Sequence, residues 1–274
     1  MDSALNQRVS VNNKSPSNLT MGSNAVDTLT TLSGIKGKSK LPFTPLYPLI
    51  LRIGPVILRS IFRIRTKGAE RIPKKGAVIL AGNHLAHVDP ILMIVGSRRT
   101  LRFLSKKEHY SQAFTRFVMT TTGQIETDRE SGAKDALINA KQVLSNGGAM
   151  GIFPEGTRSR RTEPPFMLKG KTGVARLAAT FPDVPLHPIA LLDTHKMLKP
   201  GSSMFRISTP ITMSVGEGIT WREWIHHPKG GGFSEQDLQS IADAEDSERE
   251  KEMAMLYRRF TDQLMGSLSA LGAP

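Results

Sequence analysis

The chain has 274 residues, 39% of them hydrophobic, which suffices for one large domain or two small ones around a sizeable core. It contains no cysteine, which excludes disulfides, thiolate metal sites and a cysteine nucleophile, and which fits an intracellular protein. A net charge of +13 calls for an acidic partner, whether nucleic acid, anionic lipid headgroups or phosphorylated small molecules, and only 6% aromatic residues argues against a reader that stacks nucleic-acid bases.

Residues 1–42, rich in Ser, Asn, Thr and Gly and ending in the basic KGKSK, read as a disordered tail without an evident signal peptide. Residues 43–66 hold the first strongly apolar stretch, PLYPLILRIGPVILRSIFRIR. At 100° per residue Arg52, Arg59 and Arg63 fall within about 40° of one another, with Leu51, Ile57, Leu58, Ile61 and Ile64 mostly elsewhere around the helix. A basic stripe on an apolar helix suits a segment in the headgroup plane of an anionic membrane. The same pattern also describes a buried helix with one wet face, and Pro55 is expected to kink or split it.

Strands are predicted at 77–81, 101–104, 150–153 and 186–192, and helices at 90–95, 108–121, 132–145 and 172–180. This alternation predicts an α/β fold, a largely parallel sheet flanked by helices, over residues 67–228. Beyond residue 196 the pattern is irregular. In 229–274 a Gly-rich linker, KGGGF, leads to Ser234 and one long polar helix through Leu271.

In such a sheet the loops that do chemistry lie at the carboxyl ends of strands. The first strand runs into NHLAHVDP. Pro90 disfavours helical geometry at Asp89 and suits the first turn of a following helix, so the segment is a turn in which Asp89 can fold back onto His84. A His–Asp pair can act as a general base, the carboxylate orienting the ring. Two other readings stay open: Asp89 caps the helix and merely bonds His84, or His84, His87 and Asp89 bind a metal, although no second group of histidines at ligand spacing supports the latter. The third strand ends in FPEGTRSRR. There Gly156 permits close backbone approach to a ligand, Arg158 can grip a phosphate through two parallel hydrogen bonds, and Thr157 adds a hydroxyl; an ordinary basic turn with a Glu155–Arg158 pair is the alternative. Lys106 follows the second strand, and Arg129 closes the turn GQIETDR.

NHLAHVD, GQIETDR, FPEGTRS and VPLHPIAL, in this order over roughly half the chain, resemble the four blocks of the glycerolipid acyltransferase family, and within it most the 1-acylglycerol-3-phosphate acyltransferases. TDQLMGSLSALG is similar to that family's C-terminal helix. The resemblance implies that His84 takes a proton from the hydroxyl of a lysophospholipid acceptor while Asp89 orients it. It also implies that Asn83, Lys106, Arg129, Glu155, Gly156, Thr157 and Arg158 bind substrate. The acyl donor would be a thioester, acyl-CoA or acyl-carrier protein, with no bound cofactor and no metal. The protein would work at the cytoplasmic face of a membrane, without nucleic acid. Two departures stand out: Ala86 where the family often has serine, and the acidic Glu126 and Asp128 before Arg129.

Overall fold

The computed structural model describes residues 24–37, 40–106, 111, 113–127, 132–197, 206 and 209–274. Helix α1 (Ala25–Ser33) and helix α2 (Tyr47–Ile61) precede strand β1 (Ile64–Lys67). Strand β2 (Val78–Gly82) leads into α3 (Asp89–Ser97), followed by β3 (Leu101–Arg102), β4 (Leu104–Lys106), α4 (Ala113–Thr121), β5 (Ile125–Thr127) and α5 (Gly132–Ser145). Then come β6 (Ala149–Ile152), α6 (Gly173–Thr180), β7 (Leu186–Leu192), the short α7 (Thr194–Met197) and β8 (Ile211–Val215). Helices α8 (Trp221–His226), α9 (Glu235–Asp243) and α10 (Asp246–Ala270) complete the chain.

Six strands form one sheet in the order β1-β8-β7-β2-β6-β3, parallel throughout except for β7 with β8, while β4 and β5 form a separate parallel pair. Strand β2 lies at the centre and is buried along its whole length. Its side chains alternate between faces, as the pleat requires. Ile79 and Ala81 enter the core built with α1, α5, α6 and the C-terminal helices, while Val78 and Leu80 enter the opposite core, which includes Leu92 and Met93 of α3. Burial on both faces explains why the strand reads as an unbroken apolar run.

The architecture is the expected one, an α/β fold with a largely parallel sheet between helices and a C-terminal helix. Several details differ. Within the expected tail, α1 is an ordered part of the core. Asn24 caps it by accepting from Val26 N at 2.9 Å, and Ala25, Val26 and Leu29 are buried. Three small apolar contacts among polar neighbours leave little trace in composition. The segment 229–274 is likewise no appendage, because Leu238 of α9 and Leu256, Phe260 and Leu264 of α10 belong to the same core as Ile79. The single long helix expected there is two. Ala244 and Glu245 are extended, and Arg249 closes the break by donating to the carbonyls of Ala242 and Ala244.

The irregular stretch after residue 196 contains β8, whose five residues join β1 to β7. The predicted strand 101–104 breaks at Phe103. Gln124 takes Phe103 N on its side-chain oxygen at 2.8 Å, and the chain leaves the main sheet for the β4–β5 pair. Helix α2 runs through Pro55 without splitting. It ends before Arg63, so the three-arginine stripe is not a helix face. Arg59 instead packs partly buried, donating to Thr66 Oγ1. Of the helix only Tyr47, whose hydroxyl donates to Leu101 O at 2.7 Å, and Pro55 are buried. Leu46, Leu49, Ile50, Ile53, Val56, Ile57 and Ile61 are exposed. Among the described residues no helix is long and apolar enough to cross a membrane.

Candidate active site

Three adjacent parallel strands, β7, β2 and β6, deliver three loops to one edge of the sheet. The registers Ala81 with Ile152 and Gly82 with Ile189 bring those strand ends level. The first loop is the His84 turn. Asp89 is fully buried, and its Oδ2 receives three donors: His84 Nδ1 at 2.9 Å, Leu85 N at 2.6 Å and Ala86 N at 2.7 Å. Asp89 therefore does not cap α3, which has no side-chain cap; its carboxylate reaches backwards and closes the turn. With Nδ1–H directed at a carboxylate, the other ring nitrogen, Nε2, carries the lone pair and can take up a proton. The ring lies flat on Phe153, centroids 4.0 Å apart and planes 14° apart, and its side chain keeps 18% of its surface open. His87 is exposed, and among the described residues no three His, Cys, Asp or Glu side chains group as metal ligands.

The second loop, after β6, wraps the first. Glu155 is buried and uses both carboxylate oxygens on backbone: Oε1 accepts from His84 N at 2.7 Å and Oε2 from Leu168 N at 2.8 Å. Burial is the main influence on this carboxyl and raises its pKa, against the two amide bonds. Ser159 N donates to His84 O at 2.9 Å, so the loop holds the histidine backbone from both sides. Glu155 does not pair with Arg158. The Arg158 guanidinium is partly buried, and its pKa is lowered by that burial and by Arg160, with Asp89 opposing. Thr157 is exposed at the tip.

Asn83 has a different place from the one expected. Its side chain donates to Leu191 O at 3.0 Å and accepts from Leu191 N at 2.7 Å, which spends the amide on tying β2 to β7 beneath the site. Arg129 and the side chain of Lys106 lie outside the described residues.

The third loop, after β7, was not anticipated. Its His195 stacks on Phe166, centroids 4.7 Å apart, and burial holds its imidazolium form down, reinforced by Lys196 and opposed by Asp193 and Asp89. Its Nδ1, the Thr194 hydroxyl and Asp89 Oδ1 are buried without a hydrogen-bond partner among the described residues. Position was the available signal, since His195 follows β7 as His84 follows β2. Lys171, which crosses Gly156, left no signal in the sequence.

Residues 63–192 match the sequence profile of the family described as Acyltransferase. A 1-acyl-sn-glycerol-3-phosphate acyltransferase of Borreliella burgdorferi is 36% identical over 126 residues, covering 43% of this chain and 50% of that protein. One of Bacillus subtilis is 23% identical over 174 residues, 63% of this chain and 82% of that protein. One of Chlamydomonas reinhardtii is 28% identical over 162 residues, 58% of this chain and 47% of that protein. The chain thus spans about half the length of the Borreliella and Chlamydomonas relatives. The crystal structure of the 1-acyl-sn-glycerophosphate acyltransferase PlsC from Thermotoga maritima superimposes with a TM-score of 0.54 at 22% identity, covering 80% of each chain, and so shares the fold. The matched stretch runs from just before β1 to the end of β7 and contains the first two loops of the site, and over residues 63–192 this chain is similar to the acyltransferase family.

Proposed function

We propose that this chain transfers a fatty acyl group from an acyl thioester, acyl-CoA or acyl-carrier protein, to the free hydroxyl of lysophosphatidate, giving phosphatidate, at the cytoplasmic face of an anionic membrane. The observation that carries this reading is the His84 Nδ1–Asp89 Oδ2 contact of 2.9 Å in a buried turn at a strand end. His84 Nε2 takes the hydroxyl proton as the oxygen attacks the thioester carbonyl. The tetrahedral oxyanion then collapses, breaking the C–S bond, and the imidazolium returns its proton to the departing thiolate. Neither a covalent enzyme intermediate nor a metal enters this scheme. General-base assistance is worth about 10²–10⁴-fold, and holding both substrates adds to it. In this reading Arg158, Thr157, Arg129 and Lys106 bind the acceptor. Glu155 and Asn83 act at one remove, as pins for the turn and the strand.

The membrane part of the proposal rests on α2, whose exposed residues at 49, 50, 53, 56, 57 and 61 follow helical spacing and form one apolar stripe, continued by Leu46 just before the helix. At 1.5 Å per residue the helix is only ~22 Å long, shorter than a bilayer core of about 30 Å, which suits lying along the surface.

Because the chain has no cysteine, a thiol reagent reports CoA release without background. Purified protein is supplied with acyl-CoA and lysophosphatidate, or acyl-CoA and glycerol 3-phosphate, in excess chelator, beside His84→Ala. Release that needs lysophosphatidate and drops at least about 10²-fold in the variant is expected. Equal rates in variant and wild type would discard the base assignment. Release with glycerol 3-phosphate alone would replace the acceptor, and no release with CoA or carrier-protein donors would end the enzymatic reading.

A further inference from the structure

Gly156 sits in the left-handed region at φ 68°, in the loop that holds the His84 backbone. What fills the space above it is the Lys171 side chain. A Cβ at position 156 would stand 3.0 Å from Lys171 Cδ and 3.1 Å from both Cε and Nζ. The close approach that a glycine permits is thus made here by a lysine of the same protein. The main chain of Lys171 is anchored to the same loop, its N donating to Pro154 O at 2.7 Å.

The cation so placed is exposed and has no counter-charge among the described residues. Neither Lys171 nor Arg158 is in an ion pair, and neither side chain has a hydrogen bond among the described residues. Glu155, the carboxylate adjacent to Gly156, is fully engaged by two amides. Arg158 follows Gly156 by two residues, a span of at most about 7 Å of chain. Its guanidinium is partly buried, and that burial first and Arg160 second lower its pKa, with Asp89 opposing. Lys171 lies over Gly156, and Arg158 belongs to the same loop, whose next residue, Ser159, donates to the His84 carbonyl. A dianionic phosphate offers enough oxygens for both.

We infer that Lys171 binds the phosphate of the acyl acceptor together with Arg158, and that glycine at 156 leaves the lysine end its place, since a Cβ there would make it shift. This rests on the acyl-transfer reading and adds a residue to it. An acceptor held by its phosphate at this loop presents its hydroxyl towards the adjoining His84 turn.

The test measures kcat/KM of wild type and Lys171→Met twice, for lysophosphatidate at saturating acyl-CoA and for acyl-CoA at saturating lysophosphatidate, with thermal unfolding of both proteins. A lost charge-assisted bond predicts a fall of about 10-fold or more in the first quantity, with the second within about twofold and Tm unchanged. An unchanged acceptor value, or equal falls for both substrates, overturns the assignment of Lys171. Wild type that transfers nothing to lysophosphatidate overturns the acyl-transfer reading itself, so the two failures are distinguishable.

Discussion

The His84 turn and helix α2 lie in the same protein and are satisfied in opposite ways. In the turn one carboxylate oxygen of Asp89 takes a ring nitrogen and two amides, and Glu155 takes two more, one from His84 across 71 residues and one from Leu168. Helix α2 buries two residues and leaves Val56 66% and Ile53 52% exposed. Hydrogen bonds inside the protein hold the first region, with Asp89 Oδ1 left over, whereas the second presents an apolar face that the protein does not cover. The contrast separates a rigid place for chemistry from an unfinished surface, and each side of it can be tested.

The largest effect is expected at Asp89. Asp89→Ala removes the acceptor of two buried amides, each worth about 1–3 kcal/mol when orphaned, and lowers kcat by at least about 10²-fold. Asp89→Asn separates the two losses. Its amide oxygen still serves Leu85 and Ala86, so urea unfolding should recover most of the stability. The same oxygen still accepts from His84 Nδ1, but the neutral amide no longer stabilises the imidazolium that forms, so kcat should stay low. If Asp89→Asn kept wild-type kcat, the carboxylate would be a structural clamp only.

Asn83→Ala comes next. It removes both bonds that tie Leu191 to the end of β2, and a cost of about 2–4 kcal/mol is expected in chemical denaturation. With saturating substrate, the folded fraction should retain most of its kcat, because Asn83 supports the strands beneath the site. A loss of kcat with no loss of stability would return Asn83 to the substrate-binding residues.

On the other side of the comparison, Ile53→Ser with Val56→Ser should change folding by less than about 0.5 kcal/mol, since both side chains are already exposed. Binding to anionic vesicles, measured by sedimentation, should weaken by roughly 30-fold, the equivalent of ~2 kcal/mol of apolar burial. Unchanged vesicle binding would remove α2 from the membrane surface.

Legibility in the sequence follows the same divide. The strand preceding His84 is an unbroken apolar run, and Pro90 marks the turn after it, so the His84–Asp89 pair could be found from spacing and backbone chemistry. What spacing does not carry is direction. Asp89 reads equally as a cap for α3, and Glu155 as a partner for Arg158. Only in three dimensions does Asp89 turn out to bind amides of its own turn, and Glu155 those of His84 and Leu168. Strand β8 and helix α1 escaped for a related reason: each is short, and its apolar residues make sense only beside neighbours distant in sequence, β7 and α9. His195 could have been found from its position after β7, whereas Lys171 enters the site through topology, which a linear pattern does not reveal.

Glu155→Gln is the smallest expected effect and the most informative about that linkage. One oxygen would still accept an amide, while the new NH₂ would face the other donor, at a cost of about 1–2 kcal/mol when the wild-type carboxylate is charged. The pH dependence has a definite sign. Burial raises the folded-state pKa of Glu155, so in the window between the unfolded and folded values the native state binds more protons than the unfolded chain. Wild-type stability attributable to this group is therefore fullest below the ordinary glutamate pKa and declines as pH rises through the raised value. Urea midpoints of wild type and Glu155→Gln, compared from about pH 4 to about pH 7, should show the wild-type advantage shrinking with pH. An advantage that grew with pH would mean that the His84 and Leu168 amides outweigh burial, and that the charged carboxylate is the form the loop was built around.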